Sequence, residues 1–407
     1  MKKILAILMI LITVLSLVAC SATSNPGSDS NSIADTDNPQ SENPSQNSNE
    51  VPLKIGVSVY QLSAEFGDRA MQIMGMIRDK VNAEGGVNGQ DMELVFMDIG
   101  TDQQGYIDAY LKLLDTDGVS GIVGTFYSSY VMACADFANE AKIPTINITT
   151  SDDLYGACPY FIIARNRIGS NAIAISQIAM EAGLKKPVFL TATDASYNLA
   201  CDVIQEEYEK AGLSTAGRIQ FDTSTTTDFS AVVLQAINTP GADGVVMFAT
   251  GVNGMSIASK LYEYRYDKPV MMDSPGWSDM FIENVGLDAV KFLDLRGVAE
   301  YATTLERVKK DEFLDFIYSN GFTYSTTNWH DACYFDSVNL FVEAARLAGH
   351  NDPASVYKGL KQIKNYGGAL TDYTWHDDGS MAMNVYETRF DKETGQIVVL
   401  KEVECIH

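Results

Sequence analysis

Leu53–Val59 reads LKIGVSV and Met92–Asp98 reads MELVFMD, and between them, from about Phe66 to Ala83, apolar residues recur at helical spacing. A β-rich run, an amphipathic helix and a second β-rich run form the seed of a parallel sheet. The unit then repeats. GIVG (121–124) leads into a helix reaching Lys142 and then PTINI (144–148), followed by YFIIA (160–164) and a helix at 169–183. PVFLTA (187–192), a helix at 197–211, GVVMFAT (244–250) and PVMMD (269–273) continue the rhythm. Alternation of this kind predicts an α/β protein with parallel sheets covered by helices on both faces. Strands in this number exceed one ordinary open sheet, so two sheets with separate cores are expected. From Glu300 to Ile363 the pattern is mostly helical, with a long helix near 331–348 that ends at Gly349. TDYTW (371–375), NVYETRF (384–390) and QIVVLKEV (396–403) then read as a meander added back to sheets already built.

The N-terminus is of another kind. Lys2 and Lys3 precede an apolar run from Ile4 to Ala19, broken only by Thr13 and Ser16. That is the charged and apolar part of a signal peptide, too short for an ordinary membrane span. Leu17-Val-Ala-Cys20 resembles the lipobox of lipoproteins, which implies cleavage after residue 19 and a diacylglycerol on the Cys20 thiol. Residues 20–52 are then the lipidated cysteine and its leash. Positions 21–50 hold Ser, Asn, Pro, Asp and Gln with almost no aliphatic residue, a composition that cannot offset its ordering entropy. A flexible chain of this length spans roughly 30 Å.

The formal charge is −24 and becomes −26 once Lys2 and Lys3 leave with the signal peptide. So acidic a chain is a poor partner for nucleic acid or anionic lipid, so the membrane is met through the lipid anchor alone. With Cys20 lipidated, Cys134, Cys158, Cys201, Cys333 and Cys405 remain, without metal-type spacing. Cys134–Cys158 is the pair to test for a disulfide, against the alternative that the thiols are small buried hydrophobes.

Ligands of open α/β sheets sit at the carboxyl ends of the strands. The segments to inspect there are Tyr60–Gly67, Thr125–Tyr130, Thr149–Asp152, Asp194–Tyr197, Thr250–Asn253 and Asp273–Trp277. Ser128 and Ser129 at a helix start, with Thr149 and Thr150 at a neighbouring strand end, would present donors to one point. Serine is also the preferred N-cap, so capping competes with binding as their role. Tyr60, Phe66, Tyr197 and Trp277 offer apolar walls, with core packing as the alternative. His330, His350, His376 and His407 lack metal-ligand spacing, and no G-x-S-x-G elbow, P-loop or C-x-x-C occurs. Nothing here points to an enzyme, a cofactor or a metal. Gly85-Gly86-Val-Asn-Gly89 follows a helix and reads as a helix-end turn.

Six stretches carry a resemblance: Ile55-Gly-Val57, Asn82–Gly89, Gly124-Thr-Phe-Tyr-Ser-Ser129, Ile143–Thr150, Tyr334-Phe-Asp336 and Trp375–Gly379. In this order, behind a lipobox, they resemble the substrate-binding proteins of ABC importers of the branched-chain amino-acid type, with the class I periplasmic-binding fold. The resemblance runs from about Leu53 to Val399. It implies two Rossmann-like lobes joined by three crossings near Arg165, Glu300 and Thr371: 53–164 with 301–371, and 165–300 with 372–407. It further implies a ligand in the cleft, a hinge closure and an ABC permease that receives the closed monomer. On this pattern Ser128, Ser129, Thr149 and Thr150 hold a ligand carboxylate, Phe66 covers the side chain and Tyr197 meets it from the second lobe. Amino-acid binders place an acidic residue near Asp273–Trp277, where this chain has Ser274 or Pro275, with Asp273 and Asp279 as stand-ins. Tyr60 and Phe66 also resemble the stacking aromatics of sugar-binding relatives. Amino acid or other carboxylate is thus the first ligand expectation, sugar or nucleoside the second, and a ligand-sensing lipoprotein serving a receptor the alternative role.

Overall fold

The computed structural model describes residues 51–61, 65–249, 251–273, 279–300, 308–322, 329–381 and 384–404. Residues 1–50, including Cys20, with Ser274, Pro275, Trp277, Cys405, His407 and the side chains of Phe66 and Asp279, lie outside the described residues.

The first part of the chain runs β1 (Leu53–Val59), α1 (Glu65–Ala83), β2 (Met92–Asp98), α2 (Gln103–Leu114), β3 (Val119–Val123), α3 (Ser128–Met132), α4 (Ala135–Ala141), β4 (Thr145–Asn147) and β5 (Phe161–Ile163). Its strands form a sheet in the order β2-β1-β3-β4-β5, parallel throughout. Alternation along β1 decides which side chains face which helices. Leu53, Ile55, Val57 and Val59 pack with Ile73 and Met74 of α1 and with Phe335, Val338 and Phe341 from a late helix. The other face packs Ile122 and Ile163 against Tyr106, Tyr110 and Leu113 of α2.

The chain continues through α5 (Ile168–Glu181), β6 (Val188–Ala192), α6 (Ala195–Lys210), β7 (Gly217–Phe221), α7 (Ser230–Ile237), β8 (Val245–Phe248), α8 (Gly251–Glu263), β9 (Val270–Met272), α9 (Asp279–Val285), α10 (Leu287–Phe292) and β10 (Leu295–Ala299). It then forms α11 (Val308–Ser319), α12 (Trp329–Ala348), α13 (Pro353–Leu360), the ribbon of β11 (Tyr366–Gly367) and β12 (Asp372–Tyr373), and finally β13 (Asn384–Phe390) and β14 (Ile397–Glu404). The second sheet has the order β14-β13-β10-β9-β8-β6-β7, with β6 to β10 parallel and the last two strands antiparallel at one edge. Its two faces hold separate cores, Leu190, Met247 and Leu261 on one side and Phe189, Phe248 and Ile175 on the other. Two α/β lobes with parallel sheets are therefore present, and the closing strands add to the second sheet as the meander pattern implied.

Helix starts follow capping chemistry. Asp102, Asp194 and Asp352 accept from the first-turn N–H groups of α2, α6 and α13, and Pro353 occupies the first turn of α13. Gly86 N–H returns to Val81 O at 2.9 Å, closing α1 in the expected turn.

Three details depart from expectation. The helix read through to Lys142 breaks at Ala133–Cys134 into α3 and α4. The 371–375 strand shortens to a two-residue ribbon because the Asp336 carboxylate captures Ala369 N–H, Leu370 N–H and Tyr373 OH at 2.7, 2.8 and 2.9 Å. Tyr373 and Met381 consequently pack in the first core, and Ser380 bridges to Ile163 of β5. Residues 372–381, assigned above to the second lobe, thus pack with the first, and the chain next enters the second sheet at Asn384. Cys134, Cys158, Cys201 and Cys333 are free, buried thiols. Among the described residues no helix is long and apolar enough to cross a membrane, and no group of three His, Cys, Asp or Glu gathers to hold a metal.

Candidate ligand-binding site

β1, β3 and β4 are neighbours in the first sheet, so the segments leaving their carboxyl ends converge. These are Tyr60, Gly124–Tyr127 and Ile148–Thr150. Gly124 is required for the approach: a Cβ there would lie 2.0 Å from Oδ1 of buried Asn147. Ser128 then opens α3, but the N-cap is Tyr127, with no side-chain capping bond. The Ser128 hydroxyl instead hydrogen-bonds the Thr149 hydroxyl. Capping is therefore not what Ser128 does here. Thr149 is 1 % exposed, Ser128 and Thr150 are half-buried and Ser129 is exposed. Thr150 holds the chain's exit from the lobe, since its carbonyl accepts the Ile168 N–H at 2.9 Å.

Beside this hydroxyl pair stands a cluster of half-buried rings. Tyr60 lies 6.0 Å from Phe126 and 5.7 Å from Tyr127, Phe126 lies 4.4 Å from Tyr127, and His330 at the start of α12 lies 4.8 Å from Phe126. Burial and a hydrogen bond with Tyr60 push the Tyr127 hydroxyl up to about 12, so it remains a neutral donor at any ordinary pH. Tyr60 is a wall candidate by sequence, whereas Phe126, Tyr127 and His330 join the site only in the structure. The signal for them was available: two aromatics inside the very turn that carries Ser128. Behind the rings Arg69 Nε donates to Asp331 Oδ2 at 2.6 Å. Asp331 is fully buried, and burial raises its carboxyl to about 6 despite the Arg69 charge.

The second sheet contributes different chemistry. Tyr197, in the first turn of α6, is half-buried, with its ring tilted against that of Phe248 at a centroid distance of 5.8 Å. Asp273 directly follows β9 and is 5 % exposed. Burial, and next the negative charge of Asp273, raise the Tyr197 hydroxyl, while Arg165 opposes the shift. Tyr197, Asp273 and Arg165 therefore share one neighbourhood. Arg165 is itself held by Glu300 at 2.8 Å through both Nε and Nη2. The structure thus brings Ser128 to Thr149, Tyr60 to Phe126 and Tyr127, and Tyr197 to Asp273, the first two groups on the first lobe and the last on the second.

Hydroxyls, rings and a buried carboxylate at strand ends, without an activated nucleophile or metal cluster among the described residues, suit holding a molecule. A family described as periplasmic binding proteins matches residues 53–396. The chain belongs to that family. It is a family of binding proteins, not of enzymes. A Leu/Ile/Val-binding protein homolog 8 from Brucella abortus is 27% identical over 208 residues, covering 48% of this chain and 51% of its own length. The chain thus spans about half the length of that curated relative. Homolog 7 from Brucella suis is 23% identical over 332 residues, covering 76% of this chain and 81% of its own. Among solved structures, the branched-chain amino-acid binding protein LivJ of Streptococcus pneumoniae, in complex with isoleucine, superposes with a TM-score of 0.71 at 20% identity, covering 87% of this chain and 100% of that one. A solute-binding protein of an ABC transporter from R. palustris, in complex with 4-hydroxybenzoate, gives 0.72 at 17% identity, covering 88% and 97%. These likenesses establish the fold.

Proposed function

We propose that the chain is the extracytoplasmic solute-binding lipoprotein of an ABC importer. On this reading Cys20 carries the lipid, residues 20–52 are the leash, and the folded monomer takes a small carboxylate between its lobes and delivers it to a permease. The lobes are residues 53–164 with 301–381, and 165–300 with 384–407. The observation that carries the ligand class is the Ser128–Thr149 hydroxyl pair beside half-buried rings at adjoining strand ends. A hydroxyl whose partner is another hydroxyl turns readily to donate to a carboxylate, and such charge-assisted bonds are the stronger ones. Ser128, Ser129, Thr149 and Thr150 take the carboxylate, Tyr60 and Phe66 the apolar part, and Tyr197, Asp273 and Trp277 close from the second lobe. Asp273 suits an ammonium group, which favours an amino acid, while the ring cluster suits an aromatic acid.

The test is a thermal-shift screen of the body from Val51 onward against amino acids, aliphatic and aromatic acids, sugars and nucleosides. A ligand at about 100 times its Kd adds roughly 2.7 kcal/mol to stability. A shift with a carboxylate supports the reading, and one with only sugars or nucleosides replaces the ligand class. Silence after refolding to strip carried-over ligand removes the importer reading and favours a sensor.

A further inference from the structure

Two arginines mark the first passage between the lobes, and each is engaged differently. The backbone around them is fixed to the first lobe. Ala164 N–H bonds Asn147 O at 3.1 Å, Ile168 N–H bonds Thr150 O at 2.9 Å, and Tyr155 OH donates to Arg165 O at 2.7 Å. Arg167 reinforces this anchorage: its guanidinium lies 4.1 Å from the Tyr155 ring centroid and pairs with Asp378, whose neighbour Gly379 accepts from Ile163 of β5. Arg165 reaches the other way. Its partner Glu300 directly follows β10 of the second sheet, and the other Glu300 oxygen accepts from Asn171 Nδ2 of α5 at 3.2 Å. α5 packs its Ile175 and Ile178 into the second lobe's core. The Arg165–Glu300 pair therefore ties a backbone fixed to one lobe to a carboxylate fixed to the other, at the first two of the chain's passages between them.

We propose that Arg165 and Glu300 form the pivot about which the lobes turn, a positioning pair that holds these two passages in register while the cleft opens and closes. The proposal rests on the reading above that the lobes move as a hinge. Both side chains are nearly buried, at 11 % and 5 % exposure, so pulling them apart would strand a charge away from water. A contact at the connecting segments changes length little when the lobes rotate but must stretch when they slide. The pair thus permits rotation and opposes shear, the two modes open to packed domains.

The experiment places spin labels at Glu140→Cys on the first lobe and Glu209→Cys on the second, both exposed sites. The interlobe distance distribution is recorded without ligand, and with isoleucine or 4-hydroxybenzoate as probes. Glu300→Gln keeps the shape of the side chain and removes its charge, and should broaden the ligand-free distribution by about twofold, since the pair no longer restrains sliding. Glu300→Asp, which keeps the charge, should restore part of the width. A Glu300→Gln distribution as narrow as the wild type's, in a protein with unchanged circular dichroism, overturns the pivot. If Glu300→Gln does not fold, Asn171→Ala removes the second-lobe hydrogen bond that orients the same carboxylate and should broaden the distribution less, and an unchanged width there also overturns it. A wild-type distribution no wider than that of two labels within one lobe defeats the hinge itself, an outcome separate from failure of the pair.

Discussion

The first lobe is assembled from two stretches far apart in the chain, the second almost entirely from one. The core beneath β1 joins Leu53–Val59 and α1 to Phe313, α12, α13 and Met381. Among the described residues, the second lobe's cores draw on residues 168–299, with Val385, Phe390, Ile397 and Val403 arriving late. Cohesion of the first lobe therefore depends on side chains that fasten the returning segment, and cohesion of the second on local strand–helix packing. The sites differ in the same sense. The first lobe offers a hydroxyl pair and a ring cluster at adjacent strand ends, and the second a tyrosine and a buried carboxylate near Arg165.

The sharpest way to break this contrast is Asp336→Ala. Its carboxylate alone satisfies two buried N–H groups and the Tyr373 hydroxyl. Leaving them unmet should cost about 3–5 kcal/mol. Calorimetry should show the loss confined to one transition, with the second lobe melting near its wild-type temperature. A single transition lowered as a whole would mean the lobes unfold as one unit and the contrast is only topological.

Legibility in the sequence follows the same division. Strands dominated by buried apolar residues, such as LKIGVSV and VFLTA, declared themselves, because burial on both faces leaves few polar interruptions. β7 did not: GRIQF is an edge strand whose Gly217 and Gln220 are exposed. Nor did β10, where LRGVA carries a glycine because a Cβ at Gly297 would lie 1.9 Å from Met272 O. The serine and threonine loops were legible as donors at strand ends, whereas their bonding to one another was not. Nothing local in GTFYSS says that Tyr127, not a serine, would be the N-cap. His330 reaches the rings only through tertiary packing, and no spacing in the sequence encodes that.

Next in size is a pH effect specific to the first lobe. Burial lifts Asp331 from 3.8 to about 6 in the folded protein. The native state then holds the proton more tightly than the unfolded chain. The associated stability is full below about pH 4 and is lost as pH rises through about 6, amounting to about 2–3 kcal/mol. Relative to Asp331→Asn, the wild type should lose stability between pH 4 and 7, in denaturation curves taken at both ends of that range. Parallel pH profiles would mean that Arg69 holds Asp331 ionised throughout.

Ser128→Ala comes third and tests binding against folding. Loss of a bond to a carboxylate should weaken affinity for whichever acid binds by about 1–3 kcal/mol. The ligand-free melting temperature should fall only slightly, because Ser128 does not cap α3 and the loss there is its one bond to the Thr149 hydroxyl. Thr150→Ala separates side chain from backbone in the same way, since the carbonyl that holds Ile168 survives the substitution. An equal fall in ligand-free stability for either variant would turn these residues back into framework.

The smallest expected effect concerns the rings, and it decides which lobe reads the ligand's apolar part. Tyr127 is the ring to change, because Phe126 also packs against the core beneath α12 and His330, and its truncation would mix stability with affinity. Tyr127→Leu keeps an apolar surface but removes the ring face and the hydroxyl that bonds Tyr60. An aromatic acid should lose about 0.5–1.5 kcal/mol of affinity, the usual worth of a ring–ring contact beyond its area, while isoleucine should lose less. Tyr197→Leu supplies the matching measurement on the second lobe. If Tyr127→Leu discriminates between the two acids and Tyr197→Leu does not, selectivity resides in the lobe that also holds the carboxylate. The second lobe then serves mainly to close over a ligand already chosen. If the discrimination instead follows Tyr197, the ligand is grasped by one lobe and identified by the other, and closure itself becomes the step at which unsuitable acids are refused.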